Sequence, residues 1–160
     1  MYGFEIVQNL EKIGEDIQKD ELKYHSKRVM VSKEFSFDAA HHLHCYDGKC
    51  KNLHGHTYRV VFGISGYVDE IGLMMDFGDI KEIWKEDIEV HLDHRYVNQT
   101  LPKMNTTAEN MVVWIFEQMA GAIEERPKLS KDQGARVEFV RLFETQTSYA
   151  EARREWMDLD

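Results

Sequence analysis

The histidine pair His54-Gly55-His56 runs directly into Tyr58, Val60, Phe62 and Ile64 on every second position. Side chains at i and i+2 of a strand share one face. This stretch therefore predicts a strand whose apolar face carries two imidazoles at its first end. Upstream, Val29, Val31, Phe35 and Phe37 alternate with polar residues, and His41 continues their parity. The two stretches together predict a long antiparallel pair. Few folds tolerate such a pair unless something apolar covers its inner face.

The rest of the chain supplies that cover. Residues 43–53 read as an irregular loop, and residues 67–75 as a turn at Gly72 with a short strand. Phe77, Ile80, Trp84 and Ile88 recur at helical spacing and predict a helix over 77–92 with Asp76 as its N-cap. Thr106-x-x-Glu109 reads as a capping box that opens a second helix. Its stripe of Ala108, Met111, Val112, Ile115, Phe116, Met119 and Ile123 is core packing. A strand pair over 136–144 and 148–150 closes the chain. The expected class is α+β, an antiparallel sheet in β-β-α-α-β-β order with both helices on one face. Residues 1–27 form a separate extension, in which Ile6, Leu10, Ile13 and Ile17 predict an amphipathic helix packed on the domain or on a neighbouring subunit. The domain proper is 28–160.

Length and composition narrow the function. A chain of 160 residues suits one core. A net charge of −9 argues against a general DNA- or RNA-binding face, which must neutralise phosphates. No apolar run nears the ~20 residues that span a bilayer, and the N-terminus lacks a secretory pattern. The expectation is a cytoplasmic protein without nucleic-acid or membrane partners. With Cys45 and Cys50 alone there is no disulfide framework; each reads as a buried thiol, a metal ligand or a nucleophile.

The chemistry centres on a metal. His54 and His56 can reach one ion, and His41 is the third ligand by parity; His42 points the other way and His44 lies in the loop. Neutral imidazoles suit zinc, and three of them leave one position open. A cupin-type site would add a carboxylate three or four residues later, whereas the next acid here is Asp69. Cys50, four residues before His54, is placed to act as a base or nucleophile beside a cation; Cys45 has no such relation to a ligand. In Asp93-His94 the acid can orient the imidazole. Glu144 shares the apolar parity of Val140 and Leu142. It reads either as a carboxylate binding a guanidine-like ligand edge through two hydrogen bonds or as a strand-end acid in solvent.

Six motifs then fall in order: FDAAHHL (37–43), CKNLHGHTY (50–58), MDFGDIK (75–81), LDHRYVN (92–98), NTTAEN (105–110) and LFET (142–145). Over about residues 29–150 the chain resembles the 6-pyruvoyl-tetrahydropterin synthase / 6-carboxytetrahydropterin synthase family. The three-residue gap between Cys50 and His54 resembles bacterial queuosine-pathway members; animal members have a longer gap, and a folate-pathway group has Glu where Cys50 stands. His42, where Arg is frequent, and the N-terminal extension depart from the pattern.

The resemblance implies the tunnelling fold, in which small sheets join into a barrel through trimers, often paired as hexamers, with sites between subunits. It implies zinc on His41, His54 and His56, and Cys50 as general base with Asp93 and His94 as relay partners, reaching from a neighbour. Glu144 becomes the pterin anchor, with Thr107 in the same pocket. The implied reaction converts 7,8-dihydroneopterin triphosphate to 6-carboxy-5,6,7,8-tetrahydropterin with release of acetaldehyde and triphosphate, in queuosine biosynthesis. Two alternatives stay open: a 6-pyruvoyltetrahydropterin synthase without C–C cleavage, and a non-catalytic pterin- or metal-binding protein.

Overall fold

The computed structural model describes residues 14, 15 and 17–158. The expected N-terminal helix through Ile6, Leu10 and Ile13 lies outside them. Two 14-residue strands, β1 (Arg28–His41) and β2 (His54–Tyr67), pair along their whole length, from Arg28 opposite Tyr67 to His41 opposite His54. After α1 (Phe77–Ile83) comes β3 (Arg95–Tyr96), then the single turn α2 (Val97–Thr100) and the long α3 (Ala108–Glu124). The strands β4 (Arg136–Phe143) and β5 (Tyr149–Arg153) complete a five-stranded sheet in the order β3-β1-β2-β4-β5.

Alternation decides which face is covered. Phe37, Tyr58, Val60, Phe62 and Ile64 are buried on the inner face, with Val137, Val140 and Leu142 from β4. Against them lie Ile80, Ile83 and Trp84, and the α3 stripe of Met111, Ile115, Phe116 and Met119. Trp84 stacks on Phe35 at 4.9 Å and Phe37 on Tyr58 at 4.8 Å. The β4 register jumps by one residue beside Gly63, which explains the three-residue step from Val137 to Val140. Gly63 is needed there because a Cβ would stand 2.2 Å from the Phe139 ring. The outer face is polar and carries ion pairs such as Arg59–Glu34 and Arg136–Glu138.

The class and the element order are as expected, with four local differences. The sheet is mixed, because the two-residue β3 runs parallel to β1. The first helix loosens into a π turn at Trp84–Ile88 and a 3-10 turn at Glu89–His91, and it is capped by Asp76 as expected. Trp84 Nε1 donates to Glu89 Oε2 across that turn (2.7 Å), a side-chain bond that competes with regular helical geometry. Beyond the end of β2 at Tyr67 the expected short strand does not form over 68–75, where Asp69 instead accepts from the amides of Ile71 and Leu73 and closes a turn. The N-cap of α3 is Thr107, whose hydroxyl accepts from Asn110 N (3.2 Å). Thr106 is buried one residue earlier and is engaged elsewhere, so the expected Thr106–Glu109 capping box does not form.

This packing carries a measurable cost of truncation. Ile115 is fully buried between α3 and the sheet, whereas Glu117 is exposed. Ile115→Ala should lower unfolding stability by about 2–5 kcal/mol in a urea titration, and Glu117→Ala by less than about 0.5 kcal/mol. Equal effects would place the core elsewhere.

Candidate functional site

The paired ends of β1 and β2 build the site. His41 stands opposite His54, and His56 opposite Ala39, so three imidazoles share the inner face at one end of the ladder. Their ring centroids lie 4.6, 5.3 and 4.9 Å apart. Two rings have assigned tautomers. His41 Nδ1 contacts the Thr106 carbonyl at 2.8 Å, and His54 Nδ1 contacts the Asn52 carbonyl at 2.7 Å. A carbonyl only accepts, so each Nδ1 carries the proton and each Nε2 keeps a lone pair. Those two Nε2 atoms are 3.1 Å apart.

Facing lone pairs at that distance repel unless a cation or proton lies between them. His56 Nε2 is buried without a hydrogen-bond partner, and burial pushes its imidazole below its ordinary pKa. One nitrogen from each ring lies within 4.8 Å of the other two. Two nitrogens bound tetrahedrally at about 2.0–2.1 Å from zinc stand about 3.4 Å apart. The three residues therefore fit a metal ion. No cysteine sulfur joins the cluster among the described residues.

Glu144 follows β4, one step beyond the Arg59–Phe143 pair and hence across from Tyr58. Its Oε1 lies 3.4 Å from His41 Nε2 and 3.2 Å from His56 Nε2. Tyr58 is fully buried, with its hydroxyl unpartnered. Burial, and then the Glu144 charge, push its phenol upward, so it stays a protonated donor.

A second cluster sits on the opposite face of β1. Asp93 Oδ1 accepts from the Asp38 amide (3.0 Å), and Asp93 Oδ2 contacts His94 Nδ1 (2.9 Å). The His94 amide donates to the Asp38 carbonyl (2.7 Å), with His94 held at φ +56°. Thr57 Oγ1 donates to Asp38 Oδ1 (2.6 Å). The Asp38 amide bond first, and His94 after it, hold Asp93 below the usual carboxylate range; the bond to Asp93 raises His94. His94 is 78% exposed, beside a hollow lined by Asp38, Gly55, Thr57 and Tyr96. Ala39 and His56 border the same hollow, but the Asp38 and Thr57 side chains bonded into this cluster stand, by strand parity, on the face opposite to the one that carries the three imidazoles.

The remaining predicted residues lie on the loops around these clusters. Cys50 is half-buried in the turn Lys49–Lys51, where its carbonyl accepts from Leu43 N (2.8 Å); Cys45 is exposed. Thr107 caps α3, next to the Thr106 carbonyl that orients His41. His42 turns away from the cluster, its Nδ1 at 2.6 Å from Tyr96 Oη. Sequence reasoning missed the carbonyls of Asn52 and Thr106, and also Asn98. The Asn98 amide clamps the His42 backbone through both its groups and accepts from Thr106 Oγ1. Asp38, Thr57 and Tyr58 were missed too, although each lies inside a motif that names its neighbours.

A mixed sheet with covering helices and a three-histidine cluster at one end defines an α+β protein with a candidate metal site. The profile described as "6-pyruvoyl tetrahydropterin synthase" matches residues 30–155. A 6-carboxy-5,6,7,8-tetrahydropterin synthase of Haemophilus influenzae is 37% identical, the alignment covering 76% of this chain and 96% of the relative. A 6-pyruvoyl tetrahydrobiopterin synthase of Dictyostelium discoideum is 31% identical, over 62% of this chain and 84% of the relative. The solved 6-pyruvoyl tetrahydropterin synthase of Caenorhabditis elegans superposes with a TM-score of 0.68 at 24% identity, over 82% of this chain and 99% of the other. The chain belongs to the 6-pyruvoyl tetrahydropterin synthase family of enzymes.

Two outcomes test the geometry. His54→Ala or His56→Ala should cost most of the bound metal, read by metal analysis of purified protein, because two imidazoles cannot hold the ion as three do. His42→Ala should retain it. Separately, Asp93→Asn should lower the His94 titration midpoint towards an ordinary histidine, followed by NMR, because the carboxylate is what raises it. An unmoved midpoint would show that Asp93 does not hold the ring.

Proposed function

We propose that this chain converts 7,8-dihydroneopterin triphosphate and water to 6-carboxy-5,6,7,8-tetrahydropterin, releasing acetaldehyde and triphosphate, as a zinc-dependent carbon–carbon lyase of queuosine biosynthesis. The observation that carries this reading is the convergence of His41, His54 and His56 beside the Glu144 carboxylate on one buried face. Relatives from Haemophilus influenzae and Rickettsia typhi bear the 6-carboxytetrahydropterin synthase name, and so support the carboxy product. His41, His54 and His56 would hold the zinc ion through Nε2. Bound there, zinc supplies Lewis acidity to the hydroxyls of the substrate side chain.

The chain's own residues do the rest. Glu144 accepts two hydrogen bonds from the N–H edge of the pterin, and Thr107 borders the same pocket. The Cys50 thiolate, on the loop leading to His54, removes a carbon-bound proton. His94 handles the returning proton, its ring oriented by Asp93, which favours its cationic form. Because the cluster that holds His94 uses the sheet face opposite the histidines of its own chain, it serves the site of a neighbouring copy. A homo-oligomer, trimer-based and up to a hexamer, closes the open sheet into a barrel and completes each site. No described helix is long and apolar enough to cross a membrane. The reading takes the chain as a cytoplasmic enzyme.

The Dictyostelium relative favours one second reading, a 6-pyruvoyltetrahydropterin synthase that stops before C–C cleavage. Product analysis by mass spectrometry decides between them. Acetaldehyde and a carboxylated pterin should appear together with triphosphate; triphosphate without acetaldehyde selects the second reading. In the same assay Cys50→Ala should keep zinc and lose about 10²–10⁴-fold in turnover, whereas Cys45→Ala should change little. Near-normal turnover of Cys50→Ala would move the base elsewhere.

A further inference from the structure

The turn that follows β2 lays apolar side chains open beside the place where the N-terminal extension joins the domain. Ile71 is 46% exposed and Leu73 50%. They wall a hollow of about 450 Å³ floored by the buried Met74, Met75 and Leu129. Gln133 lines the same hollow; it is only 5% exposed, and its Oε1 has no hydrogen-bond partner. A buried acceptor left unpaired costs about 1–3 kcal/mol. The hollow therefore suits an occupant that brings apolar side chains and a hydrogen-bond donor together.

The chain itself leads to this place. Lys19 pairs with Glu70 at 2.8 Å, and the Leu22 carbonyl runs so close to Gly72 that a Cβ there would stand 3.4 Å from it. Ile17 and Leu22 are half-buried. Upstream, Ile6, Leu10 and Ile13 fall at helical spacing with Ile17. Eleven helical steps cover about 17 Å, more than a hollow of this volume spans. Gln8, Asn9 and Lys12, between the apolar residues, carry side-chain donors. The other charges of this segment are the acids Glu5, Glu11, Glu15 and Asp16, and the rim of the hollow offers Arg126 and Lys128. Of the acids on the rim, Asp69 and Asp76 are turned to backbone amides, which leaves Asp79.

We propose that this hollow is the docking site of the chain's own N-terminal segment. Ile6, Leu10 and Ile13 cover Ile71 and Leu73, and a side-chain donor of the segment pairs with Gln133 Oε1. The extension then straps an apolar patch of its own domain that would otherwise face solvent. The surface is separate from the three histidines, so the inference stands apart from the proposed reaction.

The test is limited trypsin digestion of the full-length protein, with cleavage after Lys12 followed by mass spectrometry. Docking should protect that bond. Leu73→Asp should speed its cleavage about tenfold, as should Leu10→Asp, because each buried charge raises the population of the open segment. Leu10→Asp alters only the segment, so it reads the contact without touching the turn at 69–73; circular dichroism checks that both variants fold. Val90→Asp, similarly exposed but outside the hollow, should change nothing. An amine cross-linker should join Lys12 to Lys128, and in assemblies mixed from isotopically light and heavy chains it should do so only within one chain. Equally fast cleavage after Lys12 in wild type and both variants would overturn the proposal. Acceleration by Leu10→Asp but not by a folded Leu73→Asp protein would put the segment on another surface, and cross-links between differently labelled chains would make a second copy its host; either result overturns the assignment.

Discussion

The register of β1 against β2 is the constraint on which the rest depends. Fourteen residues of each strand pair without a break, and the last pair is His41 with His54. A slip of one residue would send Phe37 and Tyr58 to the outer face and scatter the imidazoles. The slip is resisted along the whole ladder, because Tyr58, Val60, Phe62 and Ile64 are all fully buried under the helices. Full burial of each such side chain contributes about 1.5–3 kcal/mol. The hydrophobic core thus fixes the position of a polar cluster at its rim, and the candidate metal site inherits its precision from residues that never touch it.

The histidines are oriented by backbone, which loops must hold in place. The Thr106 carbonyl sets His41 and the Asn52 carbonyl sets His54. Both carbonyls belong to irregular segments, and asparagines tie the neighbouring chain down. Asn98 clamps the His42 backbone, and Asn105 bonds the His44 backbone through both its groups. Asn110 returns from α3 to the Asn105 carbonyl. Asn98 also accepts from Thr106 Oγ1, so this network supports the segment whose carbonyl orients His41.

That division explains what could be read from the sequence. Parity alone located His41, His54 and His56, because a strand of period two converts spacing into direction. It also set His42 apart correctly. The same logic failed where structure is not periodic. Thr106 matched a capping box by spacing, yet its hydroxyl is bonded to Asn98 and its carbonyl to His41, so Thr107 became the cap. The stripe from Phe77 to Ile88 gave one long helix, but the Trp84–Glu89 bond loosens the second half. The two-residue β3 is too short to leave a pattern. The carbonyls that orient the rings carry no side-chain signature at all. Glu144 was visible as an acid on an apolar parity; its closeness to two imidazoles depends on the β2–β4 register, which passes through an irregularity at Gly63.

The two faces of the β1–β2 ladder also meet histidines in opposite electrostatic settings. On the inner face, burial pushes His56 towards the neutral form, the form that binds a cation. On the outer face, the bond to Asp93 holds exposed His94 towards the cationic form, the form that gives up a proton. Asp93 can do this because the Asp38 amide stabilises its charge, and Asp38 is only three residues from His41 on the same strand. The two settings differ in sign, with His56 held towards its neutral form and His94 towards its cationic form. Titratable groups driven apart in this way are what acid–base chemistry near neutral pH requires. The proposed function uses both clusters on one substrate, and it therefore requires the outer face of one chain to meet the inner face of another.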